Sequence, residues 1–293
     1  MASGRDPLQT AIRAGVFLLF YIVSAQLAGW LLGGLNNPLL SGTTVILITG
    51  LVANVLCLRI FEGRHLADCG LWLNSCTGRN LLLGLGGGAA AAAIVLLPPL
   101  VVGAAHFVTL PEEPPTAGSV TFLVAMLAAG SIGEELLFRG YGLQVLIAAT
   151  GPWATILPLG ILFGALHYGN PGAGLLSSAI TAGFGILFGY AYLRSRDLWL
   201  PMGLHFGWNF TLPLFGVNVS GLRMKVTGYE MSWTAGSLWS GGVYGPEASM
   251  LTSVVLIALF VYLYRAPIRR QVSPLTDPPA GSEVCEATPS SLS

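Results

Sequence analysis

A handful of residues stand where an apolar chain should not carry them. Glu134, Glu135 and Arg139 fall in the run GEELLFRG, His167 ends the run FGALH, and His205 opens HFGWN, with Asn209 as its uncharged companion. Near the centre of a bilayer an ionisable side chain costs roughly 2.5–3.5 kcal/mol on insertion scales, so such residues are functional candidates by default. Glu135 and Arg139 are four apart, share a helix face and can neutralise one another. Glu134 is rotated by about 100° from Glu135 and has no cationic neighbour on its own helix. A lone carboxylate in a low-dielectric surround suits general-base work. His205 and Asn209, again four apart, present two hydrogen-bonding groups on one face; an interhelical hydrogen-bond pair is the alternative use.

The depth of His167 links it to Glu134. Glu134 lies 16 residues before Thr150, which opens the turn Thr150-Gly151-Pro152, and His167 lies 16 residues beyond Gly151. At 1.5 Å per residue both fall roughly 24 Å along two antiparallel helices, so a hairpin brings them to similar depth.

The elements that must position these groups follow from composition. Of 293 residues, 54% are hydrophobic and 9% charged, and the mean hydropathy is +0.72. A soluble chain carries roughly 25% charged residues. A soluble cytoplasmic enzyme, a disordered protein and a nucleic-acid binder are thereby excluded, the last also because 13 Lys+Arg are balanced by 13 Asp+Glu. The expected fold class is all-α, a polytopic membrane protein of about eight transmembrane helices. The apolar runs are 14–35, 42–61, 81–107, 119–149, 153–167, 174–193, 198–215 and 248–264, against a need of about 20 apolar residues per crossing. The fourth is long, so a tilt or a break at Gly140 or Gly142 is expected. The GLGGG run at 84–88 has no strand before it and reads as close helix packing by small residues.

Charge sets the orientation. Arg5, Arg13, Arg59, Arg64, Arg79, Arg194, Arg196, Arg265, Arg269 and Arg270 fall on one side of eight spans; Arg223 and Lys225 fall on the other, with Glu112 and Glu113. Ten against two places both termini in the cytoplasm. The 216–247 loop is the one long external connection, and its Tyr229, Trp233, Trp239 and Tyr244 suit a membrane interface. His65 and His106 are expected to be bland. Cys57, Cys69, Cys76 and Cys285 show no metal or redox spacing. Asn209-Phe210-Thr211 matches a glycosylation acceptor, but within a span that reading is discarded.

Taken together, Glu134-Glu135-Leu136-Leu137-Phe138-Arg139, Phe163 to His167, and His205 to Asn209 resemble the pattern of the CPBP family. That family includes CAAX prenyl endopeptidases of the Ras-converting type and bacterial bacteriocin-processing or immunity (Abi) proteins. The resemblance covers roughly 119–215. It implies a glutamate-dependent intramembrane endopeptidase in which Glu134 with His167 activates water, His205 and Asn209 bind the oxyanion, and Glu135 and Arg139 order the site. Peptide hydrolysis needs such a base and such donors. No cofactor is expected. The family has also been labelled a metalloprotease, and zinc, if bound, would sit on Glu134, His167 and His205; the chain has no HExxH, and Asn is a poor zinc ligand.

Residues 1–13 are then a cytoplasmic N-terminal tail. Residues 14–264 form the transmembrane domain, with the catalytic core at about 119–215, and 265–293 a disordered cytoplasmic C-terminal tail. The partners expected are a peptide or membrane-protein substrate and the lipid bilayer, with no nucleic acid. A bacterial cytoplasmic membrane is the expected location, and substrate is expected to reach the site from the cytoplasm or from lipid. Two other readings stand beside the peptidase: a non-catalytic immunity or scaffold protein on the same fold, and a proton-coupled transporter.

Overall fold

The computed structural model describes residues 6–111, 114–277 and 286–287. Arg5, Glu112, Glu113, Cys285 and residues 278–285 and 288–293 of the C-terminal tail, about which the sequence raised expectations, lie outside these. The architecture is an all-α membrane bundle. Its helices are α1 (Pro7–Leu32), α2 (Pro38–Cys57), α3 (Thr77–Val101), α4 (Ala117–Arg139), α5 (Tyr141–Thr150), α6 (Pro152–Leu166), α7 (Leu175–Ser195), α8 (Trp199–Leu214), the single turn α9 (Ser237–Ser240) and α10 (Met250–Arg265). Five helical segments are long and apolar enough to cross a bilayer: 7–32, 38–62, 77–101, 117–150 and 175–195. The remaining apolar helices α6, α8 and α10 are shorter, at 15, 16 and 16 residues.

Local chemistry sets the helix ends. Asp6 and Asn37 accept from Leu8 N and Leu40 N and precede Pro7 and Pro38. Thr116 and Ser249 cap α4 and α10 in the same way, each satisfying a donor the helix leaves open. Small residues let α3 and α8 lie backbone to backbone. A Cβ on Gly203 would stand 2.6 Å from Leu81 O, and one on Gly84 or Gly88 would run into the carbonyls of Leu200 and Leu204. The GLGGG run is thus a packing surface, as its composition indicated.

The long fourth run is broken at Gly140, between α4 and α5. Asn54 of α2 fills the gap: its amide donates to Leu136 O at 2.9 Å, and its Oδ1 accepts from Tyr141 N at 2.6 Å. A Cβ at position 140 would collide with that same Oδ1.

Several boundaries differ from the sequence reading. Helix α1 starts at Pro7, so half of the expected 1–13 tail is helical. The third run does not continue to Phe107. Helix α3 ends at Val101 just after Pro98 and Pro99, and Ala105–Thr109 forms strand β1, antiparallel to β2 (Tyr229–Trp233) in the long loop. Two consecutive prolines withdraw two helix donors, and Gly103, at φ 74°, turns the chain out. Tyr244 does not sit at an interface; it is buried, with its hydroxyl 3.5 Å from Thr181. The C-terminal segment is not disordered as far as Asp277. Ile268, Gln271, Ser273 and Leu275 are buried there. Gln271 and Asn80 both donate to Asp197 Oδ2, at 2.8 and 2.6 Å. Polar Ser/Pro/Thr composition pointed to a solvated tail, but these groups instead satisfy a buried carboxylate at the base of the bundle, which burial holds above the usual aspartate range.

Candidate active site

The broken helix, the end of α6 and the first three turns of α8 meet on one cavity of about 420 Å³. Glu134, His167, His205 and Asn209 all line it. Glu135 and Arg139 lie just behind, fully buried. The six residues singled out in the sequence therefore occupy one place.

Their hydrogen bonds orient the rings. His167 Nδ1 is 2.7 Å from Phe163 O; a carbonyl can only accept, so Nδ1 carries the proton. His205 Nδ1 is 3.0 Å from Glu135 Oε1, and the same oxygen accepts from Arg139 Nη1 at 3.2 Å. Both rings therefore turn Nε2 into the cavity. There His205 Nε2 and His167 Nε2 stand 3.9 and 4.0 Å from Glu134 Oε2. That oxygen is shielded and has no hydrogen-bond partner among the described residues. It is too far from either ring for a direct hydrogen bond, at a spacing that one bridging water spans.

Arg139 is held by more than Glu135. Its Nη2 donates to Gly185 O at 2.7 Å, and its guanidinium lies over the rings of Phe163, Phe188 and Phe138 at 5.0, 5.2 and 5.5 Å. Phe188 also stacks on His205, centroids 4.8 Å apart. Cation–π contacts of this kind gain strength when desolvated. Phe188 was not anticipated; in sequence it is one of many aromatics on an apolar helix.

A roof closes over the site from the long loop. Glu247 accepts from Trp208 Nε1 at 3.1 Å and from Ser220 N. Ser220 adopts φ 48°, a left-handed backbone rare outside glycine. Burial holds the Glu247 carboxyl above its ordinary range, against the hydrogen bonds from Ser220 and Trp208. Val219, Ser220, Leu222 and Met224 of this roof, and Tyr21 of α1, line the cavity too. None of these carried a sequence signal beyond an isolated Glu in a loop.

The residues that would hold zinc do not form a zinc site as they stand. Bonds of 2.0–2.1 Å to a tetrahedral ion put ligand atoms roughly 3.3 Å apart, whereas Glu134 Oε2 stands 3.9 and 4.0 Å from the two imidazoles. Among the described residues no group of three His, Cys, Asp or Glu is gathered to hold a metal.

Residues 114–211 match the family model of Rce1-like type II CAAX prenyl endopeptidases. The match bears out the family resemblance read from the three motifs, and its bounds enclose all of them, from Glu134 to Asn209. No curated protein matches the chain.

Proposed function

We propose that this protein is an intramembrane endopeptidase that hydrolyses peptide bonds of membrane-associated substrates, of prenylated or bacteriocin type, with a water activated by Glu134 and His167. The observation that carries this reading is the convergence of two imidazole Nε2 atoms on the unpartnered Glu134 Oε2. The family match supports hydrolysis as the reaction class.

In this mechanism a water sits between Glu134 and His167 and gives up a proton as its oxygen adds to the scissile carbonyl carbon. The carbonyl oxygen becomes an oxyanion. His205 and Asn209 stabilise it, His205 as the imidazolium, because its Nδ1 hydrogen is already committed to Glu135 and only a second proton allows Nε2 to donate. The proton held by Glu134 passes to the leaving nitrogen as the C–N bond breaks, giving an amine and a carboxylic acid. Glu135 and Arg139 do not touch substrate; they fix the His205 ring. The same reading has the chain cross the membrane eight times, with both termini in the cytoplasm.

The test is cleavage of a membrane-peptide library by the purified full chain in detergent, wild type beside Glu134→Gln, with and without chelator. Cleavage by wild type alone, unaffected by chelator, is the expected result. Equal cleavage by Glu134→Gln overturns the assignment, and loss on chelation restored by zinc overturns the metal-free mechanism. Absence of cleavage together with a Glu134→Ala chain that retains its function in the cell would establish the scaffold reading instead.

A further inference from the structure

We infer that the catalytic cavity opens to the non-cytoplasmic face of the membrane, so that its substrates are polypeptides whose scissile bond is presented on that face. The substrate class rests on the peptidase reading above; the direction of opening does not.

One end of the bundle gathers the cations. Arg13 pairs with Glu62 at 2.7 Å, joining the start of α1 to the helical turn Leu58–Glu62 that continues α2. Arg79 at the start of α3 donates to Pro267 O at 2.8 Å, just past α10. Arg196 after α7 and Arg270 after α10 both meet Asp277, at 3.5 and 2.7 Å. The opposite end, built from the antiparallel β1–β2 pair and the 216–249 segment, carries only Arg223 and Lys225 among the described residues. Lys and Arg in short loops mark the cytoplasmic side.

The cavity is closed at the arginine end. Below Glu134 the broken helix is plugged by Asn54, which bridges Leu136 O and Tyr141 N. Gln144 donates to Cys69 O at 2.7 Å and Arg139 O at 3.1 Å, and accepts from Ser273 Oγ at 3.4 Å. Asn54, Gln144 and Ser273 are all fully buried. Polar groups so completely paired form a floor that a peptide could breach only by breaking buried hydrogen bonds.

The other end is the mouth. His167 follows the last residue of α6, and the turn beyond it packs on the external segment: a Cβ at Gly172 would stand 2.8 Å from Tyr244 N, and one at Gly221 would run into Pro171 O. The cavity runs from Glu134 to this layer, where Asn170, Ser220 and Leu222 line it and Leu222 is 43% exposed. A cytoplasmic protein lipidated at its C terminus would meet the closed end, so of the two substrate types proposed above this opening admits the exported kind and not a cytoplasmic prenylated one. An exported peptide, or the external flank of a membrane-anchored protein, meets the open one. This reverses the expectation of access from the cytoplasm.

Cysteine accessibility in spheroplasts expressing the full chain tests the direction. Leu222→Cys at the mouth, Lys225→Cys beside it and Arg64→Cys at the opposite end would each be treated with a membrane-impermeant maleimide, before and after permeabilisation, with wild-type labelling subtracted. The expected result is that Leu222→Cys and Lys225→Cys label fully in intact spheroplasts and Arg64→Cys only after permeabilisation. Protection of Leu222→Cys and Lys225→Cys until permeabilisation overturns the inference, and Lys225→Cys alone decides it if Leu222→Cys fails to accumulate. Sequencing of new N-termini in membranes holding wild type or Glu134→Gln then tests the substrate class. Glu134-dependent termini on external segments are expected, and termini on cytoplasmic segments overturn it. A complete lack of Glu134-dependent termini would instead count against the peptidase reading, with the direction of opening still decided by labelling.

Discussion

His205 Nδ1 and Arg139 Nη1 share one oxygen of Glu135, at 3.0 and 3.2 Å. That single carboxylate oxygen both balances a buried guanidinium and fixes which nitrogen of His205 faces Glu134. Glu135 is therefore a positioning residue whose loss has two separable effects. Glu135→Ala leaves Arg139 buried without its counter-charge, and breaking a buried pair in this way costs about 3–5 kcal/mol. Thermal unfolding in detergent should show the loss as a lower Tm and poorer accumulation. Glu135→Gln keeps an acceptor for His205 and should recover part of the folding but not the activity. A Glu135→Ala chain that melts like wild type would sink the structural role.

Glu134→Gln should do the opposite. The side chain keeps its shape, borders the cavity and bears no internal hydrogen bond on Oε2. Its Tm should match wild type, while cleavage should fall by about 10²–10⁴, the usual worth of a general base. A Tm loss as large as that of Glu135→Ala would mean that Glu134 is part of the scaffold.

The GLGGG run offers a paired test of helix packing. Within it, a Cβ on Gly86 meets nothing within 4 Å, whereas one on Gly88 runs into the Leu204 carbonyl and stands 2.7 Å from Trp208 N. Gly86→Ala should leave stability unchanged or raise it by up to ~1 kcal/mol through helix propensity. Gly88→Ala should lower it by about 1–3 kcal/mol through overpacking against backbone that cannot move aside. Equal melting curves for the two would show that α3 and α8 are not in contact.

Glu247 gives the roof a pH dependence. Burial holds its carboxyl above the ordinary glutamate range, so the folded chain binds this proton more tightly than the unfolded one. Stability from this group is then present below the unfolded value near 4.5 and is lost as pH rises through the folded value. Tm measured from acid to neutral pH should fall more for wild type than for Glu247→Gln. A wild-type curve that rises over that range in parallel with the variant's would count against a carboxyl that burial holds above its ordinary range.

Much of this was legible in the sequence, and the limits have physical causes. Ionisable residues in apolar runs are so costly that Glu134, His167 and His205 stood out, with Asn209 as the polar companion of His205, and the helical spacing of Glu135 and Arg139 anticipated a pair that the structure forms. The break in the fourth run was expected at Gly140 or Gly142, but Asn54, which fills it from 86 positions earlier in the chain, could not be foreseen. Its polarity marked no partner. The roof was invisible because Glu247 and Ser220 meet by tertiary packing of a loop without periodicity. The strand at Ala105–Thr109 was masked because its apolar residues extend the run before it, and only the partner at Tyr229–Trp233 makes it a strand. The packed segment up to Asp277 was missed because Gln271 and Ser273 read as solvated, whereas they complete the hydrogen bonds of Asp197, Gln144 and Tyr192.

Asn209 separates binding from chemistry. It lies one turn beyond His205 on α8 and lines both the main cavity and the smaller one that runs under Glu247. Its amide can donate to an oxyanion without any change of protonation, unlike His205. If it acts only when negative charge develops on the carbonyl oxygen, Asn209→Ala should lower kcat by about 10²–10³ and leave KM close to wild type. Asn209→Asp should be at least as impaired, because an acceptor replaces the donor and a second negative charge enters beside Glu134. The measurement is steady-state cleavage of whichever library peptide wild type turns over best. A raised KM with kcat unchanged would place Asn209 in ground-state binding, since uniform binding of substrate and transition state alters KM alone. In that case the oxyanion would be held by His205 without it.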